Sequence, residues 1–354
     1  KDRAYSFYTV LMRPSIPIIL LLLLVTAISA STPINIHLSY HSGYDSNVMR
    51  FSQKEIQNAA DDRSMMGGAG TFDSYVSRIN TRLQKTLFVL GKKELGIAST
   101  FNLSNYVHNN HKNYWSGNAS LVYKWGSYRN LKYTLRHLNS YYLRHYVDRD
   151  ISKNNLSACF FTDRDQSMFL TLPAGRRFWY TFGTGYLQRY YDIPFTEFDL
   201  DIYYFRLKVN KRIKNLGTVS FQVDRASAEN TTYKKTAVSS DFDRSYESVE
   251  WYLPIKFDRS LDYFDHIGVS LRQELRVYKA EALDDVLHSG RNHRDMKIDF
   301  WINKSVSERL DITLSSRFRA RNTDSSYEWV KDLKSFKQIQ LWCKIKWAFT
   351  YDKY

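Results

Sequence analysis

Apolar and polar residues alternate with a period of two from about residue 34 to residue 351, in runs of ten or more positions. In the run 115–125, Trp115, Gly117, Ala119, Leu121, Tyr123 and Trp125 share one parity, with Ser116, Asn118, Ser120 and Lys124 between them. An extended chain sends successive side chains to opposite faces, so this segment has one polar face and one apolar face bounded by tryptophan. A lipid-facing strand needs aromatics at the two membrane–water interfaces. The pattern predicts an all-β fold, a transmembrane antiparallel up-and-down β-barrel.

About fourteen strands are expected, the first four over 34–44, 74–90, 96–107 and 115–125 and the last ending near Tyr351. Short links join strands two and three, four and five, and so on to twelve and thirteen. Most other links are long (45–72, 146–154, 225–243, 280–293 and 321–334), with 191–195 a short exception. This alternation predicts short periplasmic turns, longer extracellular loops and periplasmic termini. Three irregularities are expected. In strand eight, Phe198, Leu200, Ile202 and Tyr204 hold one parity and Phe205, Leu207 and Val209 the other, which predicts a bulge. Parity slips near 163–166 in strand six, and Pro254 predicts a bulge or the rim of strand ten.

Arg13, an apolar run over 16–25 and small residues up to Ala30 predict a signal peptide over 1–30, with 1–11 as an upstream extension and cleavage after Ala27 or Ala30. The barrel is then expected over 31–354. Aromatics make up 16% of the chain, more than a soluble core of this size requires. The formal net charge is +15, and losing Lys1, Arg3 and Arg13 against Asp2 leaves +13. Export turns such a balance away from nucleic acid and toward lipopolysaccharide phosphates, small anionic solutes or acidic partners. Cys159 and Cys343 lack metal or redox spacing, and a disulfide between them is not expected.

The final run, Leu341-Trp-Cys-Lys-Ile-Lys-Trp-Ala-Phe-Thr-Tyr351, resembles the last strand of Gram-negative outer-membrane proteins, although Asp352, Lys353 and Tyr354 follow the aromatic. That resemblance implies the bacterial outer membrane and recognition by the barrel-assembly machinery. The segment His41-Ser-Gly-Tyr-Asp-Ser-Asn-Val-Met-Arg50 is similar to one in porin-like barrels and in surface-lipoprotein assembly modifiers, whose barrels also have fourteen strands.

If the apolar parity meets lipid, the other parity lines a lumen. The expected lining is Arg78, Arg82, Lys124, Lys132, Arg136, Arg206, Lys208, Arg272, Arg276, Lys297, Arg317, Arg319, Lys344 and Lys346, against Asp199, Asp201, Asp224, Glu250, Glu274, Asp295, Asp299 and Asp311. Trp115, Trp125, Trp251, Trp347 and Tyr351 are the expected interface aromatics. A basic wall suits an anion-leaning channel for small solutes, while a ladder of paired charges suits a closed lumen. An export or assembly barrel for surface lipoproteins or polymers is the alternative. A hydrolase is the weakest reading: Asp284, Asp285, His288 and His293 share one loop without a fixed triad spacing. Asp45, Asp61 and Asp62 lack the calcium-loop pattern, and neither metal nor cofactor is expected.

Overall fold

The computed structural model describes residues 32–352 except 149, 153–154, 235–241, 259–262 and 283. The expected signal peptide lies outside the described residues. The rest forms fourteen antiparallel strands: β1 (Ile34–Asp45), β2 (Ser74–Leu90), β3 (Lys93–Tyr106), β4 (Tyr114–Gly126), β5 (Arg129–Val147), β6 (Leu156–Gly175), β7 (Phe178–Tyr191), β8 (Leu200–Ile213), β9 (Gly217–Asn230), β10 (Tyr246–Phe257), β11 (His266–Tyr278), β12 (Asn292–Ser307), β13 (Leu310–Asp324) and β14 (Phe336–Tyr351). Each pairs with its chain neighbours, and β1 closes on β14 from Ile34↔Tyr351 to Asp45↔Gln340, so no strand edge remains free.

Tight turns close the periplasmic end, where Gly91, Tyr128, Arg177 and Asn215 take left-handed backbone angles. The extracellular links are L1 (46–73), L2 (107–113), L3 (148–155), L4 (192–199), L5 (231–245), L6 (279–291) and L7 (325–335). Strands of 12 to 20 residues exceed the roughly 9–11 that cross a bilayer, so many project beyond it. Leu121, Phe300 and Leu341 are 41%, 47% and 51% exposed on the outer face. A belt of such residues has a favourable solvent only in lipid. Leu121→Arg is expected to cost about 2–4 kcal/mol in urea unfolding from lipid vesicles, and the inward Asn118→Arg close to nothing. Equal losses at both positions would overturn the assignment of faces.

The expected irregularities resolve differently. Strand β8 keeps one register with both neighbours and has no bulge. Its Leu200 and Ile202 point inward, where they pack with Leu187, Ala228 and Tyr246 beneath the extracellular loops. An apolar residue on the inner parity therefore mimicked a register switch. Strand β6 also keeps its parity through Asp163 and Asp165, and the register shifts fall on β5 between Leu138 and Arg144. Pro254 pairs with Ser270 of β11, but the β9 ladder is interrupted at residues 253–254 with its register unchanged. The missing N–H removes hydrogen bonding without adding a residue.

The segment after Ser42 stitches the closing seam. A Cβ on Gly43 would lie 2.4 Å from the Trp342 ring, so only glycine lets β1 and β14 approach there. Asp45, 3% exposed, accepts hydrogen bonds from the side-chain amides of Gln338 and Gln340. Asn47 bonds Phe51 in both directions and donates to the Lys337 carbonyl. These bonds satisfy polar groups at the seam and set the direction in which L1 leaves.

Candidate functional site

Inside the barrel a cavity of about 680 Å³ is lined by polar and charged side chains, among them Lys132, Arg136, Asp165, Lys208 and Glu250. Cross-strand register arranges the charges in rows. One row runs Arg206, Asp224, Glu250, Glu274, Asp295, Arg321 across β8 to β13. The neighbouring row on the periplasmic side runs Lys208, Gln222, Tyr252, Arg272, Lys297, Arg319. An acidic girdle thus lies against a basic one.

Pairing follows from that adjacency. Arg206 grips Asp224 through two bonds of 2.8 and 2.7 Å. Arg272 meets Glu250 at 3.6 Å and Arg276 meets Glu274 at 2.6 Å. Asp295 is 2% exposed and takes both Arg319 (2.6 Å) and Arg321 (2.9 Å). Arg317 holds Asp299, Arg136 holds Asp165 at 3.3 Å, Lys346 holds Asp311 at 3.2 Å and Lys124 holds Glu94 at 3.2 Å.

The opposite arc differs. Lys344, His41 and Arg78 are direct partners across β14, β1 and β2, and His37 is opposite Arg82. Among the described residues, no ion pair reaches Arg78, Arg82, Lys132, Lys208, Lys297 or Lys344, whereas the cations above have carboxylate partners. Arg78 donates to Ser104 at 2.9 Å and lies over the Trp342 ring. The cations without an ion pair are therefore spread around the wall, on β2, β5, β8, β12 and β14.

Two expected lining residues are elsewhere. Asp201 alternates with the inward Leu200 and Ile202 and so faces outward on β8. Asp199 precedes the strand, accepts the Tyr191 backbone N–H, and is pushed up to about 6 by burial. Parity was misjudged there because the expected bulge does not exist. Charges also occur on the outer parity: Arg164, Arg225 and Arg294 alternate with inward Asp165, Asp224 and Asp295 in the extracellular halves of their strands. Trp115 and Trp125 lie toward opposite ends of β4, and Trp347 and Tyr351 toward the periplasmic end of β14. Trp251 instead sits halfway along β10, its indole N–H bound to Gln273 at 3.0 Å, away from either interface.

The mouth holds what sequence reading missed. L1 carries helix α1 (Gln53–Asp61), begun by a capping box in which Ser52 and Glu55 bond each other's backbone N–H. The same Glu55 carboxylate holds Arg144 of β5, and Arg144 also donates to the Met49 and Arg50 carbonyls. On its other flank α1 shares a cavity with Arg321 of β13, six strand steps away. L1 therefore lies across the extracellular mouth. Helix α2 (Glu328–Lys334) in L7 packs beside it, with Lys54 3.9 Å from Asp332. Met49, Phe51, Ala59 and Met66 of L1 bury themselves against Tyr142 of β5, and Lys112 of L2 donates to the Tyr142 and Leu143 carbonyls. Burial, then the Arg50 and Arg144 charges, push the Lys112 ammonium well below its usual range. Neither Glu55 nor Arg144 had a signal in sequence, because their pairing depends on where L1 lands.

In L6, Asp285 is 1% exposed and accepts both the backbone N–H and the ring Nδ1 of His288, the latter at 2.8 Å. Burial holds that imidazole down at about 4 despite the carboxylate. His293 bonds Thr323 at 2.8 Å and Asp284 is exposed, so the four residues form two braces and an exposed acid, without a triad. Asp45 is taken up by the seam and Asp62 caps a turn at Ser64. Among the described residues no group of three His, Cys, Asp or Glu side chains is placed to hold a metal ion. Cys159 and Cys343 are both free.

No family model matches the chain. No curated protein matches either. Among solved structures, the chain is similar to the outer-membrane protein OpdK from Pseudomonas aeruginosa (9% identity, 90% of this chain and 99% of that one, TM-score 0.41). It is similar also to an anion-selective porin from Comamonas acidovorans (9%, 90% and 99%, TM-score 0.42) and to outer-membrane expressed OmpT of Vibrio cholerae (7%, 91% and 99%, TM-score 0.47). The closed fourteen-strand cylinder with its apolar coat is a barrel of the bacterial outer-membrane type.

Proposed function

We propose that this protein is an outer-membrane channel that passes small solutes, favours anions and is narrowed at its outer mouth by L1 and L7. The carrying observation is the unneutralised part of the lumen wall: Arg78 and Arg82 on β2, Lys132 on β5, Lys208 on β8, Lys297 on β12 and Lys344 on β14 have no carboxylate at ion-pair distance among the described residues, while the lumen carboxylates of β9 to β13 are held by arginines and lysines. Cations left without counter-charges raise the local concentration of anions in a water-filled path. The outward Arg164, Arg225 and Arg294 suit the phosphates of lipopolysaccharide in the outer leaflet. Nothing in this reading requires bond chemistry.

Planar-bilayer recordings test it. Steady conductance is expected, with a reversal potential of anion-favouring sign in a salt gradient. Arg82→Glu with Lys344→Glu is expected to lower the anion-to-cation permeability ratio by roughly threefold or more without loss of fold, since neither cation has an ion-pair partner to orphan. Folded protein that leaves the bilayer silent would favour the second reading, a closed interaction or export barrel. The loops crossing the mouth are the observation on its side.

A further inference from the structure

Another cavity, of about 390 Å³, opens among L3 to L7 at the outer mouth, lined by other residues than the one in the lumen. Its wall is built from rings with cations laid over them. The Arg244 guanidinium is 3.8 Å from the centre of Phe198, that of Arg291 is 3.9 Å from Tyr278, and the Lys334 ammonium is 5.7 Å from Tyr146. Trp329 of α2 completes the aromatic side.

Several cations at this cavity are already matched: Arg189 to Asp163, Arg276 to Glu274 and Arg321 to Asp295. The lining also carries two buried carboxylates on its L3 and L4 side, Asp148, which accepts the Asp150 backbone N–H, and Glu197. Arg291 and Lys334 differ, because among the described residues neither has a carboxylate at ion-pair distance. Arg291 is 5% exposed, and its Nε has no hydrogen-bond partner. A buried guanidinium N–H is rarely left so, and a guanidinium over a ring face still has N–H groups to offer a planar oxyanion. Lys334 supports the same picture: burial, then the Arg144 and Arg291 charges, push its ammonium down to about 7. Two basic groups without a carboxylate at ion-pair distance, beside an aromatic wall, suit a ligand with an anionic head and a flat apolar body.

We propose that this cavity captures small aromatic organic anions, the carboxylate or phosphate head met by Arg291 and Lys334 and the ring set against Tyr146, Tyr278 and Trp329. The proposal rests on the channel reading for the passage of the captured molecule, but capture is measurable by itself. Calorimetric titration of the folded full chain in detergent compares benzoate, phenyl phosphate, benzyl alcohol and inorganic phosphate. Benzoate, phenyl phosphate or both are expected to bind at least roughly tenfold more tightly than benzyl alcohol, the loss expected when a charge-assisted hydrogen bond is removed. Whichever of the two binds identifies the head group. Inorganic phosphate is expected to bind weakly, for want of the ring. Arg291→Gln and Lys334→Met are each expected to weaken the anion roughly tenfold. Trp329→Ala, on an exposed helix face, tests the ring contact without risk to the fold and is expected to weaken it roughly threefold. Benzyl alcohol binding as tightly as the anions, or unchanged affinity in all three variants, overturns the proposal. Ligand-free conductance of the wild-type protein tests the channel separately, so the two ideas fail independently.

Discussion

Asp295→Ala will cost the barrel about 3–5 kcal/mol, the loss expected when a buried ion pair keeps its cation and loses its anion. The carboxylate is 2% exposed and shared by two guanidiniums on the neighbouring strand, Arg319 at 2.6 Å and Arg321 at 2.9 Å. Without it, two cations face each other and Lys297 on an inner wall with no water-exposed escape for Arg319, which is 11% exposed. Asp295→Asn should recover part of the loss, since the amide oxygen still accepts one hydrogen bond. Urea unfolding from lipid vesicles measures both. Asp295→Ala within about 1 kcal/mol of wild type would mean that the paired arc is loosely held and adds little to the barrel. The same geometry makes Arg317→Glu with Arg319→Glu a poor probe of selectivity: it would bring two new carboxylates against Asp295 and Asp299 and unsettle the wall before altering its charge.

On the channel reading, in which L1 narrows the mouth, Glu55→Ala will release L1 from the far wall and raise single-channel conductance by roughly twofold or more, with added flicker. One carboxylate performs two tasks here: it caps α1 at Ser52 and anchors the loop to Arg144. Losing the cap alone costs about 0.5–2 kcal/mol of local stability, and Arg144 is left without its counter-charge. Arg144→Met, which breaks the anchor but keeps the cap, separates the two effects and should give most of the conductance gain. If both variants conduct like the wild type, L1 rests at the mouth without narrowing the path.

The cylinder was legible in the chain because its cause is local. A residue between lipid and lumen has only two directions, so apolar and polar residues alternate, and β2 is found over the residues 74–90 that the alternation marks. The bulge foreseen in β8 was an error of the same reasoning: Leu200 and Ile202 are apolar yet point inward, because loops cover them and exclude water from that part of the lumen. Alternation reports polarity of surroundings, and the lumen is polar only where it is wet. Arg317 and Arg319 follow the same alternation, whereas Arg321 falls within residues 321–334, which read as a loop, because β13 runs on to Asp324 beyond the membrane-crossing length.

By itself, the sequence determined the architecture and the face of the wall that carries most of its charge, since both follow from which side chains tolerate lipid. Only the tertiary structure decided which charges neutralise each other and which stand free, because that depends on the register between paired strands, which alternation along one strand does not fix. Asp295 and Arg319 are 24 residues apart, and Lys344 and His41 meet only where the last strand closes on the first. The loops were likewise decided by folding alone: Glu55 finds Arg144 because β1 and β2 aim L1 across the mouth, a direction no local pattern encodes.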